Sequence, residues 1–81
     1  MTIYVGNLSY RVEEEDLKQA FSQYGEVKDV QIIKDEYSGR SKGFGFVDMR
    51  SEDEKSNAIR NLNGYPLGGK NLLVNKALSK K

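Results

Sequence analysis

Two segments of the chain repeat their apolar residues with the period of a helix, and four others repeat them with the period of a strand. That mixture constrains the fold more than any other feature. From Glu13 to Tyr24 the apolar residues Leu17, Ala20, Phe21 and Tyr24 fall at i, i+3, i+4 and i+7, one stripe of a helix. A second stripe runs through Ala58, Ile59 and Leu62, behind a capping box with Ser51 as N-cap and Glu54 at N3. The strand-like segments are 2–6 (TIYVG), 27–34 (VKDVQIIK), 43–49 (GFGFVDM) and 70–77 (KNLLVNKA). Their order with the helices is β-α-β-β-α-β.

Each helix is apolar on one side only, so each needs an apolar surface beneath it. The economical solution is a single sheet with both helices on one face. The expectation is an α+β, ferredoxin-like sandwich: a four-stranded antiparallel sheet with two helices on one face and the other face open. Ile3, Val5, Val30, Ile32, Val47, Met49, Leu72 and Val74 supply the strand positions under the helices. Gly25 fits C′ of the first helix, Asn63-Gly64 closes the second, and YPLGG (65–69) reads as a turn. The first helix lacks a Ser, Thr, Asn or Asp at its natural cap, but Glu13, Glu14, Glu15 and Asp16 face the positive end of its dipole.

The period of two then fixes the open face. If Val47 and Met49 point inward, Phe44, Phe46 and Asp48 point outward, together with Tyr4 on the first strand. Gly43 and Gly45 fall on the core side, where a helix would cross closely. Asp29, Gln31 and Ile33 face outward on the second strand, and Leu73 and Asn75 on the last, which ends in Lys76. A register slipped by one residue would bury Phe44 and Phe46 but would expose Val47 and Met49. Burying an aromatic side chain contributes about 1.5–3 kcal/mol, so three rings left outside forgo most of that, and such a patch marks a binding surface. Flat rings suit unpaired nucleobases, whose stacking contributes roughly 1–3 kcal/mol each. Lys42, Arg40, Lys76 and the Lys80-Lys81 end supply a basic margin, and the amides of Gln31 and Asn75 are suited to base edges. Tyr10, Tyr24, Tyr37 and Tyr65 fit partly buried or loop positions.

Composition narrows the chemistry. The 81 residues hold no cysteine and no histidine, which removes disulfides, thiolate metal sites and the commonest general base. Net charge is +1, but residues 11–36 carry four basic and eight acidic groups, whereas 64–81 carry four lysines and no acid. Between them, Arg40, Lys42 and Arg50 stand against Asp48 in residues 37–50. No apolar run reaches membrane-spanning length and the N-terminus lacks the pattern of a signal peptide, so a cytoplasmic protein is expected.

KGFGFVDM (42–49) resembles the RNP1 octapeptide of the RNA recognition motif family, and IYVGNL (3–8) resembles its RNP2 hexapeptide. EEEDLKQAFSQYGEV, AIRNLNG and GGKNLLVNKA follow in the family's order and spacing, so the resemblance covers nearly the whole chain, like the short single-domain bacterial members. It implies one domain over residues 1–77 with a short basic tail at 78–81. It implies that Tyr4 and Phe46 stack on bases, that Phe44 packs against sugars and that Lys42 meets phosphate. It further implies that the 35–41 loop and the end of the last strand help select sequence. Met49 departs from the Phe or Tyr usual at the eighth RNP1 position, which implies altered packing rather than lost binding.

The expected partner is single-stranded RNA, or single-stranded DNA, bound by a monomer without cofactor, metal or membrane. A protein-interaction domain on the same fold is the alternative, with the helical acids at 13–16 and 52–54 as its surface. An enzyme of the acyl-phosphate hydrolase kind would need an anion-cradling loop, and GNLSYR (6–11) lacks its glycines. Gly43-Phe44-Gly45 opens no helix and has Asp48 where a dinucleotide fingerprint needs its third glycine.

Overall fold

The computed structural model describes residues 2–77. The elements follow in the order β1 (Thr2–Gly6), α1 (Glu14–Ser22), β2 (Val27–Lys34), β3 (Ser41–Met49), α2 (Glu52–Leu62), β4 (Pro66–Leu67), β5 (Lys70–Asn71) and β6 (Leu73–Ala77). The main sheet is antiparallel with strand order β2-β3-β1-β6, and the helices pack beneath it, α1 against β2 and α2 against β3 and β6. This is the ferredoxin-like sandwich that the alternating periods predict. No helix among the described residues is long and apolar enough to cross a membrane.

The core lies between that sheet and the helices. Ile3, Val5, Ile32, Val47, Met49, Leu72 and Val74 meet Leu17, Ala20, Phe21, Ala58 and Leu62 there. Phe21, Ile3, Leu17 and Met49 are essentially solvent-free, and each such side chain contributes about 1.5–3 kcal/mol. Leu8 and Val12 join them from the β1–α1 loop. Val30, expected in the core, is half-buried at its edge. A bulge at Lys28, between the pairs Val27↔Met49 and Asp29↔Asp48, lets Val27 reach the core as well, which strict alternation would forbid.

Cap chemistry sets the helix limits. Ser51 accepts from the Glu54 amide at 3.2 Å, as a cap should. Glu54 does not close the box from its own side chain; its carboxylate goes to Arg50 (2.7 Å) and to the Glu26 amide (3.3 Å). At α1 Asp16, at N3, reaches back to the Glu13 amide (2.9 Å), the usual part of an acid in a capping box, while Glu13 holds the N-cap where a hydroxyl is customary. That helix ends at the C-cap Gln23, two residues before Gly25. The missing Gly25 side chain instead leaves room for the Glu54 carboxyl group.

The segment expected as one strand over 70–77 is divided. Gly68 and Gly69, at φ 67 and 91, let the chain fold back so that Pro66–Leu67 and Lys70–Asn71 form a separate two-stranded ribbon. Leu72 then turns into the core, its carbonyl accepting from Gly64 (2.7 Å) and its amide donating to Tyr65 (2.9 Å). The ribbon is tied to the end of β1 by the Asn7 side-chain amide, which donates to the Asn71 carbonyl at 2.7 Å.

Candidate nucleic-acid interface

The open face is built row by row from strand register. Gln31 pairs with Phe46, Phe46 with Tyr4 and Tyr4 with Asn75, so an amide, two rings and a second amide lie in one line across four strands. The neighbouring line runs from Phe44 through Gly6 to Leu73. Tyr4, Phe44 and Phe46 are half-buried, and their centroids form a nearly equilateral triangle of 6.1, 6.1 and 6.0 Å. Tyr4 lies at 27° to Phe44, whereas Phe46 stands at 66° and 86° to the other two. The rings meet one another at the separations aromatic pairs prefer.

Glycines make this arrangement possible. A Cβ at Gly6 would stand 2.5 Å from the Tyr4 hydroxyl oxygen and 2.8 Å from its Cζ, so Gly6 is the space into which the Tyr4 ring lies. Gly45 is buried, and a Cβ there would collide with the Gln31 carbonyl oxygen and come within 3.0 Å of Ile32 Cα. The close approach is therefore by the backbone of β2, not by a helix as the sequence suggested. Gly43 meets only the Leu8 carbonyl at 3.8 Å, and its φ of 91° is what requires glycine. It lies where 42–44 of β3 pass Ile33 of β2, between the pairs Ile32↔Gly45 and Lys34↔Ser41.

The other expected residues are distributed as follows. Gln31 and Asn75 are exposed, Ile33 is half-buried and Leu73 is 58% exposed. The Asn75 side-chain oxygen Oδ1 accepts from the Lys76 amide (2.8 Å), so the side chain still has two N–H donors to offer. Lys42 and Arg40 are exposed at the β2–β3 end, with Lys34 beside them, and none of the three is in an ion pair among the described residues. Lys76 pairs with Ile3, whose side chain is in the core. It therefore stands on the helix side of the edge strand, apart from the rings. Lys80 and Lys81 lie outside the described residues.

Two charges of the 37–50 segment are engaged. Arg50 is 2.7 Å from Glu54 and 3.8 Å from Glu26, so it adds nothing to the basic margin. Asp48 occupies an outward strand position directly across from Asp29, yet its Oδ1 is 3.1 Å from Nζ of Lys55, a buried lysine of α2 that also binds Glu52 at 3.2 Å. The long lysine stem reaches from the helical layer and relieves two like charges set opposite each other. Burial pushes the Lys55 ammonium down, but the hydrogen bonds it donates to Asp48 and Glu52, with the attraction of their charges, outweigh it and hold the group above its ordinary value. The same contact holds the Glu52 carboxyl below the usual carboxylate range.

An open antiparallel sheet with a triangle of rings at its centre and unpaired cations at one end defines a surface for flat, anionic ligands. The family model of the RNA recognition motif matches residues 3–73, and the chain belongs to that family. RbpB of Nostoc sp. is 53% identical over 77 residues, covering 95% of this chain and 75% of that protein. The crystal structure of RNA Binding Protein PG1 superposes with a TM-score of 0.93 at 47% identity, over 100% of this chain and 98% of that one. The Rna15 RNA recognition motif with bound GU RNA gives 0.85 at 33% identity, over 96% and 83%.

Proposed function

We propose that the protein binds single-stranded RNA on the open face of its sheet, with Tyr4 and Phe46 stacking on bases and Phe44 against the sugars between them. The observation that carries this reading is the in-register line Gln31–Phe46–Tyr4–Asn75, which sets two rings side by side with an amide at either end. Lys42 and Arg40 meet phosphates at the β2–β3 end, Ile33 and Leu73 widen the apolar floor, and Lys76 reaches the strand around the β6 edge. The family's RNA-bound relative, the Rna15 domain with GU RNA, supports RNA as the ligand class. The cytoplasmic, monomeric and non-catalytic character expected from the sequence belongs to the same proposal.

The test is a fluorescence-anisotropy titration of a randomised single-stranded RNA pool with the wild type and with Tyr4→Ala/Phe46→Ala, both checked for folding by circular dichroism. Binding by the wild type and its loss in the folded double variant is the expected result. Equal behaviour of the two would remove the sheet as the site and bring the protein-interaction alternative forward.

A further inference from the structure

Tyr37, which the sequence places with Tyr10, Tyr24 and Tyr65 at partly buried or loop positions, stands 92% exposed at the tip of the β2–β3 loop. The loop that carries it is well bonded. Asp35 Oδ1 accepts from the amides of Tyr37 (2.7 Å) and Ser38 (3.2 Å), and the Asp35 carbonyl accepts from Gly39 (2.8 Å). The Asp35 amide donates to the Arg40 carbonyl (2.8 Å), and the Arg40 amide to Ser38 Oγ (3.2 Å). Asp35, Ser38 and Gly39 thus each have a part in the turn, Gly39 by its φ of 75°, whereas nothing in the turn calls for a ring at position 37. The ring edges a shallow cleft of about 320 Å³ that it shares with Lys34, Asp35, Glu36 and Lys42. Asp35 is turned in on its own loop, so Lys34 and Lys42 face a ligand with only Glu36 against them.

We propose that Tyr37 is a further stacking site, taking an unpaired base of the RNA strand beyond the two on Tyr4 and Phe46, with Lys34 and Lys42 meeting the intervening phosphates. The inference rests on the sheet-face reading above and extends the bound strand past the edge of the sheet. Three features of the cleft suit it to this use. The ring is held out in water, where an aromatic side chain gains nothing from folding. The turn is ordered before ligand arrives, so little conformational freedom is lost on stacking. Lys42 belongs both to this cleft and to the basic end of the ring triangle, so the two sites are continuous. Tyr10, 76% exposed, is a poorer platform, because its cleft is walled by Glu13, Glu14 and Glu15 as well as by Lys34 and Arg40.

Site length provides the test. Labelled pools of randomised single-stranded RNA, one of trinucleotides and one of octanucleotides, are titrated with the wild type, Tyr37→Ala and Tyr37→Phe. Stacking of one base at an exposed ring predicts that Tyr37→Ala weakens octanucleotide binding by about 5-fold. Trinucleotide binding stays unchanged, and Tyr37→Phe, which keeps the ring, stays within about twofold of wild type on both pools. If Tyr37→Ala holds the octanucleotide as tightly as wild type, or weakens both lengths equally, the inference fails while the sheet-face reading stands. If the wild type binds neither pool, the sheet-face reading fails and takes this one with it.

Discussion

The ring of Tyr4 lies over Gly6, two residues further along its own strand, so closely that a methyl group on Gly6 would stand 2.7 Å from Tyr4 Cε2. The obstacle to a side chain at Gly6 is thus the end of another side chain, which can move. Gly6→Ala is expected to displace the Tyr4 ring and weaken RNA binding by about 1 kcal/mol or more, with a smaller loss of stability. Anisotropy titration beside urea denaturation checks both halves, and unchanged binding would show that Tyr4 stacks from another orientation.

Gly45→Ala contrasts with it. Its Cβ would meet the carbonyl oxygen of Gln31 and Cα of Ile32, both backbone atoms of β2 held in register against β3, and paired backbone yields less readily than the end of a side chain. Overpacking of this kind costs about 1–3 kcal/mol. Chemical denaturation should show that loss before any RNA is added, and an undisturbed midpoint would mean the β2–β3 pairing is softer than its register implies.

Phe46→Ala removes one of the three outward rings of the triangle without opening the core. The expected loss of RNA affinity is about 1–3 kcal/mol, while the circular dichroism spectrum stays that of the wild type.

Salt should act modestly. Two or three phosphate contacts, from Lys42, Arg40 and one further cation, at about 0.7 per contact for single strands, predict a slope of log K against log salt of roughly −1.4 to −2. Lys42→Ala is expected to reduce the slope by about 0.7. A flat response in the wild type would rule out both residues as phosphate ligands.

The Lys55 network predicts a pH dependence of stability. The Lys55 ammonium is held above its ordinary value of 10.5, so the stability it contributes is fully present below that pH and is lost as pH rises through its higher folded value. Glu52 is held below 4.5, so its contribution is present above that pH and is lost as pH falls through its lower folded value. Lys55→Met should flatten the alkaline limb and make the acid limb shallower. Urea midpoints measured from acid to alkaline pH would reveal it.

Much of this was legible from the chain alone, for a definite reason. Val47 and Met49 are too apolar to face water, and the period of two then forces Phe44 and Phe46 outward, as Ile3 and Val5 force Tyr4. What escaped the sequence is what breaks that period or joins distant residues. The bulge at Lys28 returns Val27 to the core, the irregular pairing at Ile33 depends on the backbone angle of Gly43, and the ribbon at 66–71 interrupts the last strand. Lys55 reaching Asp48 and Glu54 reaching Glu26 are contacts between elements, which no local pattern records. Lys76 was placed by its nearness to Asn75 along the chain, but the register with Ile3 sets it on the other side. For Tyr37, the residue type was visible and the exposure was not.

One acid of α1 has a use beyond its helix. Glu14 Oε2 accepts from the Ile32 amide at 3.2 Å, on β2, which ends the sheet. A strand in that position offers its outer amides as a template on which a second chain can extend the sheet, the first step toward aggregation. Here one of the amides such a chain would need is already bonded. The carboxylate that favours the start of α1 thus also occupies part of the edge along which copies of the protein would have to zip together.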